Sequence, residues 1–175
     1  MEVLSPTNAL RARSFLARAA EAAKESKCRK AHCGAIVVVD EQIVGRGYNA
    51  PPQDRSDFGT CSWPYNADSA KPRYDQTCCL HAEWRAVLDA ASTGLLPCNA
   101  SLYFLRLLPD DRWAEEDNPY CTVCSRLILD VGITEIYVPN SRGIVSYSAE
   151  EFYRLSYEFH ARSRQVGSRS TRRAS

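Results

Sequence analysis

Cys79-Leu80-His81-Ala82-Glu83-Trp84-Arg85-Ala86-Val87 is answered further along the chain by Asn118-Pro119-Tyr120-Cys121-Thr122-Val123-Cys124. Read together, the two stretches make one metal site. His81 offers an imidazole nitrogen and Cys121 and Cys124 offer two sulfurs, a donor set that suits zinc. Three protein ligands leave a fourth position for water, which is what separates a catalytic zinc from a closed structural one. Glu83, two residues past the histidine, is spaced to carry protons to and from that water rather than to bind the metal. Apolar residues recur at helical spacing over 82–91 and 122–131, so both halves of the site open helices. The partial positive charge of those helix ends favours thiolate at Cys121 and Cys124.

The surrounding pattern alternates strands with helices. Residues 34–39 and 42–47 read as two strands joined at Asp40-Glu41 in a hairpin, the first apolar enough to lie inside a sheet. Ahead of them, Thr7 is placed to cap a packing helix over 8–25. Gly47 to Pro52 carries turn residues and reads as a plain turn, or else as a place where backbone and amide groups face a ligand. Residues 101–106 read as a third strand, 109–118 as a polar loop delivering the chain to Cys121, and 134–138 as a fourth strand. Strand, helix and strand in that order imply parallel pairing with right-handed crossovers. Ser148 with Glu151 three residues on forms a capping box for a last helix through Phe159.

Length and composition fit one domain, residues 1–161, whose 45% hydrophobic content can fill a substantial core. An insertion at about 53–78 is polar and aperiodic, with Trp63 and Tyr65 embedded in it. Its flanking cysteines Cys61, Cys78 and Cys79 are read either as buried thiols or as part of a second, structural metal. Residues 162–175 hold five arginines, no acid and little that is apolar, which reads as a disordered tail. A net charge of +1 gives no global field for nucleic acid. The N-terminal residues lack the apolar middle of a signal peptide, and no long apolar run appears, so a soluble, cytoplasmic protein with reduced cysteines is expected.

On these residues the chain resembles the cytidine/deoxycytidylate deaminase superfamily, and within it looks most like the deoxycytidylate deaminases. The resemblance rests on Ser26-Lys27 before Gly34-Ala35-Ile36-Val37, on Val44 to Pro52, on Gly59-Thr60-Cys61-Ser62, and on Cys79 to Glu83. Cys121 to Cys124 and Gly132-Ile133 complete it. It implies a three-layer α/β/α fold with a central mixed five-stranded sheet flanked by helices. It further implies one catalytic zinc on His81, Cys121 and Cys124, with Glu83 as proton shuttle and Asn49 near the sugar, in a homo-oligomer. Ala82, Arg85 and Tyr120 are further candidate substrate contacts. Arg85 stands where the family generally has Asn, so either a polar contact is lost or a guanidinium reaches an anionic group. Tyr120 separates Pro119 from Cys121, and the loop before it is longer than the family's.

Two functions follow as expectations. The first is hydrolytic deamination of a small pyrimidine nucleotide, dCMP to dUMP, with Lys71, Arg73, Arg29 or Arg85 holding the phosphate. The alternative is a different small aminopyrimidine or nucleoside, or a flipped base in RNA or single-stranded DNA stacked on Trp63, Tyr65, Trp84 or Trp113. A non-catalytic zinc module has no use for Glu83.

Overall fold

The computed structural model describes residues 1–60, 77–94, 98–119 and 121–170. Along them run Glu2–Val3 (β1), Pro6–Ala23 (α1), His32–Val39 (β2), Gln42–Tyr48 (β3), Ala82–Ser92 (α2) and Ser101–Leu107 (β4), followed by Thr122–Asp130 (α3), Glu135–Asn140 (β5), Gly143–Ser148 (β6) and Ala149–Ser170 (α4). The expected hairpin forms because Asp40 and Glu41 take φ of 46° and 64°. A two-residue type I′ turn needs left-handed backbone at both central positions. Val39 therefore faces Gln42, and β2 pairs antiparallel with β3.

The sheet order is β1-β6-β5-β4-β2-β3, mixed as expected. Only β4 and β5 run parallel, joined through α3, while every other neighbouring pair is antiparallel. It has six strands where five were expected. The extra one is β1, two residues paired to the edge of β6 through Glu2–Ser146 and Val3–Val145. So short a segment has no period to read.

Alternation along the strands divides the core in two. Ile36, Val38, Tyr103 and Leu105 meet Phe15, Leu16, Ala19 and Ala23 of α1 on one face. Ala35, Val37, Leu102, Phe104, Ile136 and Val138 meet Ala82, Ala86, Cys124 and Ile128 of α2 and α3 on the other, and Phe152 of α4 packs against that same face. The result is three layers. Leu16 and Ile36 are fully buried, each contributing roughly 1.5–3 kcal/mol.

Two boundaries differ from expectation. Helix α1 starts at Pro6 with Ser5 as its cap, its Oγ accepting from Asn8 N at 3.5 Å, because proline's fixed φ suits the first helical position and pulls the start ahead of Thr7. One half of the expected capping box at Ser148 forms, with Glu151 N donating to Ser148 Oγ at 3.2 Å, while the Glu151 carboxylate accepts from the Met1 amino group instead. Helix α4 then continues to Ser170 instead of ending near 161. The arginines and Gln165 of that stretch are good helix formers, so low core content did not end the helix. Of the expected insertion, Pro52–Asp54 and Ser56–Phe58 form short 3₁₀ turns, while Cys61, Trp63, Tyr65, Lys71 and Arg73 lie outside the described residues. Among the described residues, no helix is long and apolar enough to cross a membrane.

Candidate active site

His81 and Cys121 occupy equivalent places: each is the residue immediately before a helix, the cap of α2 and of α3. Both have extended backbone, ψ 156° and 96°, which turns the side chain back over the first helical turn. Cys121 Sγ accepts the Cys124 N–H at 3.3 Å, a cap made by sulfur. The histidine Nδ1 lies 3.1 Å from Cys124 Sγ and 3.4 Å from Cys121 Sγ, and the two sulfurs are 3.0 Å apart. All three ligand atoms lie within 4.8 Å of one another, the single such cluster among the described residues. One imidazole nitrogen and two thiol sulfurs meeting at one point fit zinc and leave room for a further ligand.

Charge is arranged around this point. The Cys121 thiol is held down at about 4, first by its hydrogen bond with Cys124 and then, against burial, by His81. Burial and that same hydrogen bond push Cys124 well up. Burial lowers His81, but the Cys121 hydrogen bond and the charge of Glu83 outweigh it and bring the imidazole to about 9. Glu83, on the first turn of α2, is buried, and burial raises its carboxyl. It hydrogen-bonds the Cys124 thiol without joining the ligand cluster.

The cluster opens on a cavity of about 380 Å³ bordered by His81, Ala82, Glu83, Cys121, Asn49 and Lys30. It lies on the α2/α3 face, and its walls Phe104 and Val138 belong to the parallel strands β4 and β5. Asn49 borders the cavity, and its amide is largely engaged. Oδ1 accepts from Ser26 Oγ at 2.7 Å and Cys33 N at 2.8 Å, while Nδ2 donates to Ala31 O at 2.8 Å. Asn49 thus fastens the turn before β2, and its second amide N–H has no partner among the described residues.

Arg85 is not brought to the cavity. Its Nη1 donates to Asp54 Oδ1 at 2.6 Å, and its guanidinium stacks over the Tyr48 ring at 4.4 Å. The reason is helical: two residues past Glu83 is about 200° around the axis, the opposite side of α2. The anionic group it reaches is the protein's own carboxylate. Tyr120 lies outside the described residues. Trp84 packs against the α2/α3 core, and Trp113 packs toward the α1 face under Arg13, 5.0 Å from the ring.

Several lining residues were not foreseen. Phe104, Val138, Tyr147 and Phe152 form an apolar wall contributed by β4, β5, β6 and α4. Lys30 and Glu116 bring charge from two loops. Cys28, Cys78 and Cys79 also border the cavity, with the Cys78 and Cys79 sulfurs 3.8 Å apart. The alternation of β4 and β5 was enough to put Phe104 and Val138 on the site's face. Nothing local marked Glu116, because its place depends on a loop folding back across two strands.

Residues 10–139 match the family described as the cytidine and deoxycytidylate deaminase zinc-binding region. The deoxycytidylate deaminase of Schizosaccharomyces pombe is 31% identical over 137 residues, covering 77% of this chain and 38% of that protein. The chain thus spans less than two fifths of that relative. The deoxycytidylate deaminase of Mycobacterium phage D29 is 33% identical over 132 residues, covering 71% of this chain and 91% of that one. A crystal structure of dCMP deaminase from cyanophage S-TIM5, in complex with dCMP and dUMP, shares the fold at 19% identity. It aligns with a TM-score of 0.51 over 77% of this chain and 82% of that chain.

Proposed function

The chain belongs to the cytidine and deoxycytidylate deaminase family, and we propose that it hydrolyses the 4-amino group of a cytosine nucleotide, converting dCMP to dUMP with release of ammonia. The observation that carries this reading is the convergence of His81, Cys121 and Cys124 beside a buried carboxylate that is not part of their cluster. The names of the fission yeast and phage relatives, and the nucleotides bound to the cyanophage protein, support the choice of dCMP.

His81 Nδ1 and the sulfurs of Cys121 and Cys124 would hold the zinc. Zinc there supplies a Lewis acid that makes water nucleophilic at neutral pH. Glu83 takes the proton from the attacking water and hands it to ring nitrogen N3. It then carries the proton remaining on the added oxygen to the amino group as the C4–N bond breaks, so water is consumed, ammonia leaves and C4 keeps a carbonyl oxygen. Ala82, at the first position of α2, has a backbone N–H that the helix does not use, a donor for the base. Asn49 offers its remaining amide N–H to the sugar, and Lys30 is the cation for the phosphate. The apolar wall excludes water behind the ring.

Ammonia release from dCMP, CMP, cytidine, deoxycytidine and a free aminopyrimidine tests the proposal: turnover of dCMP is expected, and turnover of none of them removes it. The base-flipping alternative is weakened, since Trp84 and Trp113 are engaged in the two packing faces. Assembly as a homo-oligomer in the cytoplasm belongs to the same proposal, and sedimentation of the purified chain tests the assembly.

A further inference from the structure

The loop between β4 and α3 folds back along its own strand before crossing to the next. Leu107 bridges to Trp113, and Ala114 N donates to Arg106 O at 2.8 Å. Then Glu116 N donates to Pro139 O on β5 at 2.8 Å, while Asn140 Nδ2 donates to Glu116 O at 3.4 Å. Glu116 is therefore fixed through its own N–H and carbonyl, and its side chain, 12% exposed, borders the cavity. Its Oε1 accepts from Arg106 Nε at 2.9 Å. A carboxylate has about four acceptor positions, of which that N–H fills one.

Cys33 sits directly opposite Arg106 in the β2–β4 register and also borders the cavity. Its thiol is pushed up first by burial and then by the charges of Glu83 and Glu116, so both carboxylates act on one point of the cavity. The ring that reacts must lie against His81 and Glu83, which leaves the rest of the cavity, Glu116 included, to the sugar and phosphate. A phosphate beside Glu116 would meet like charge, whereas Lys30 approaches from a different segment, between α1 and β2.

Resting on the deaminase reading, we propose that Glu116 is a specificity-determining residue whose carboxylate accepts a hydrogen bond from a sugar hydroxyl of the substrate. It selects a hydroxylated sugar over one that lacks the donor, because a half-buried carboxylate with acceptor positions left open beyond its bond from Arg106 loses a charge-assisted hydrogen bond when the hydroxyl is missing.

The test compares kcat/KM for dCMP, CMP and 2′,3′-dideoxy-CMP in the wild type, Glu116→Gln and Glu116→Ala. Glu116→Gln keeps an acceptor for Arg106 and so preserves the loop. For the hydroxylated nucleotides it lowers kcat/KM by roughly tenfold, the scale of losing a charge-assisted hydrogen bond, and it changes the dideoxy substrate by less than about twofold. Glu116→Ala shows the same selectivity change in larger measure. If all three nucleotides fall by one common factor, or none changes, Glu116 only pins the loop and the inference is overturned. A wild type that turns over none of them removes the deaminase reading and this inference with it.

Discussion

Gly47 of β3 lies beneath Ala82 of α2 so closely that a Cβ on the glycine would stand 2.2 Å from the Ala82 carbonyl oxygen and 2.3 Å from Ala86 N. No side chain fits between strand and helix here, and the close approach sets the height at which α2 begins. His81 and Glu83 flank Ala82, so the position of the ligand cluster is fixed partly by a missing methyl group. Gly47→Ala must lift the helix or bend the strand. The expected cost is about 1–3 kcal/mol of stability, as for other overpacked cores, with weaker metal retention. Urea unfolding and zinc content of the purified variant check this. A variant as stable and as zinc-loaded as the wild type would mean that the helix start is set elsewhere.

Glu83→Gln separates metal binding from proton transfer. The glutamine matches the carboxylate in shape and fills the same buried place, so the three ligands stay together and zinc content is unchanged. It cannot accept and return a proton at neutral pH, and kcat falls by about 10²–10⁴, the range assigned to a positioned acid–base. Elemental analysis and ammonia release on one preparation give both quantities. Retained turnover would show that another group moves the proton.

Why part of this site was legible in the sequence and part was not follows from how far each residue's position depends on distant chain. His81, Glu83, Cys121 and Cys124 form two short motifs at helix starts, and a helix start is a local event decided within one turn. The hairpin at Asp40-Glu41 is equally local, as is the Ser148 cap. Arg85 was read either as a lost polar contact or as a guanidinium reaching an anionic group, and helical periodicity points it away from Glu83 and toward Asp54. Glu116 could not be read, since β5 and β4 must first be paired before its loop has anything to cross. The strand Gly143–Ser148 was passed over because it follows so closely on β5, with a two-residue turn at Ser141-Arg142 between them.

Zinc removal tests the ligand set by stability as well as by activity. Anything that binds only the folded chain adds RT ln(1 + [L]/Kd), about 4 kcal/mol when the free metal is a thousandfold above Kd. A chelator is expected to lower the thermal midpoint, and added zinc to restore it. Cys121→Ser weakens metal binding and removes the sulfur that accepts the Cys124 N–H, so its midpoint responds little to either treatment. A variant that responds as fully as the wild type would exclude Cys121 from the site.

The Arg85–Asp54 pair predicts a pH dependence located away from the chemistry. Asp54 is held below the ordinary carboxylate range, first by its hydrogen bond from Arg85 and, against some burial, by the Tyr48 hydroxyl, which donates at 2.6 Å. A depressed carboxyl contributes stability that is fully present above the unfolded pKa of about 3.9 and is lost as pH falls through the folded value. The Asp54 side chain is 34% exposed, so solvent screening keeps the effect below about 1 kcal/mol. Asp54→Asn is therefore less stable than the wild type at pH 7, and the gap narrows as pH falls below the ordinary carboxylate value. Urea unfolding at pH 7 and pH 3 measures it, and a gap that widens in acid contradicts the assignment. Arg85→Ala should leave kcat/KM for dCMP within about twofold, because the guanidinium is spent on Asp54. A drop of tenfold or more, converting to about 1.4 kcal/mol of transition-state binding, would return Arg85 to the substrate and require the Asp54 pair to open when substrate binds.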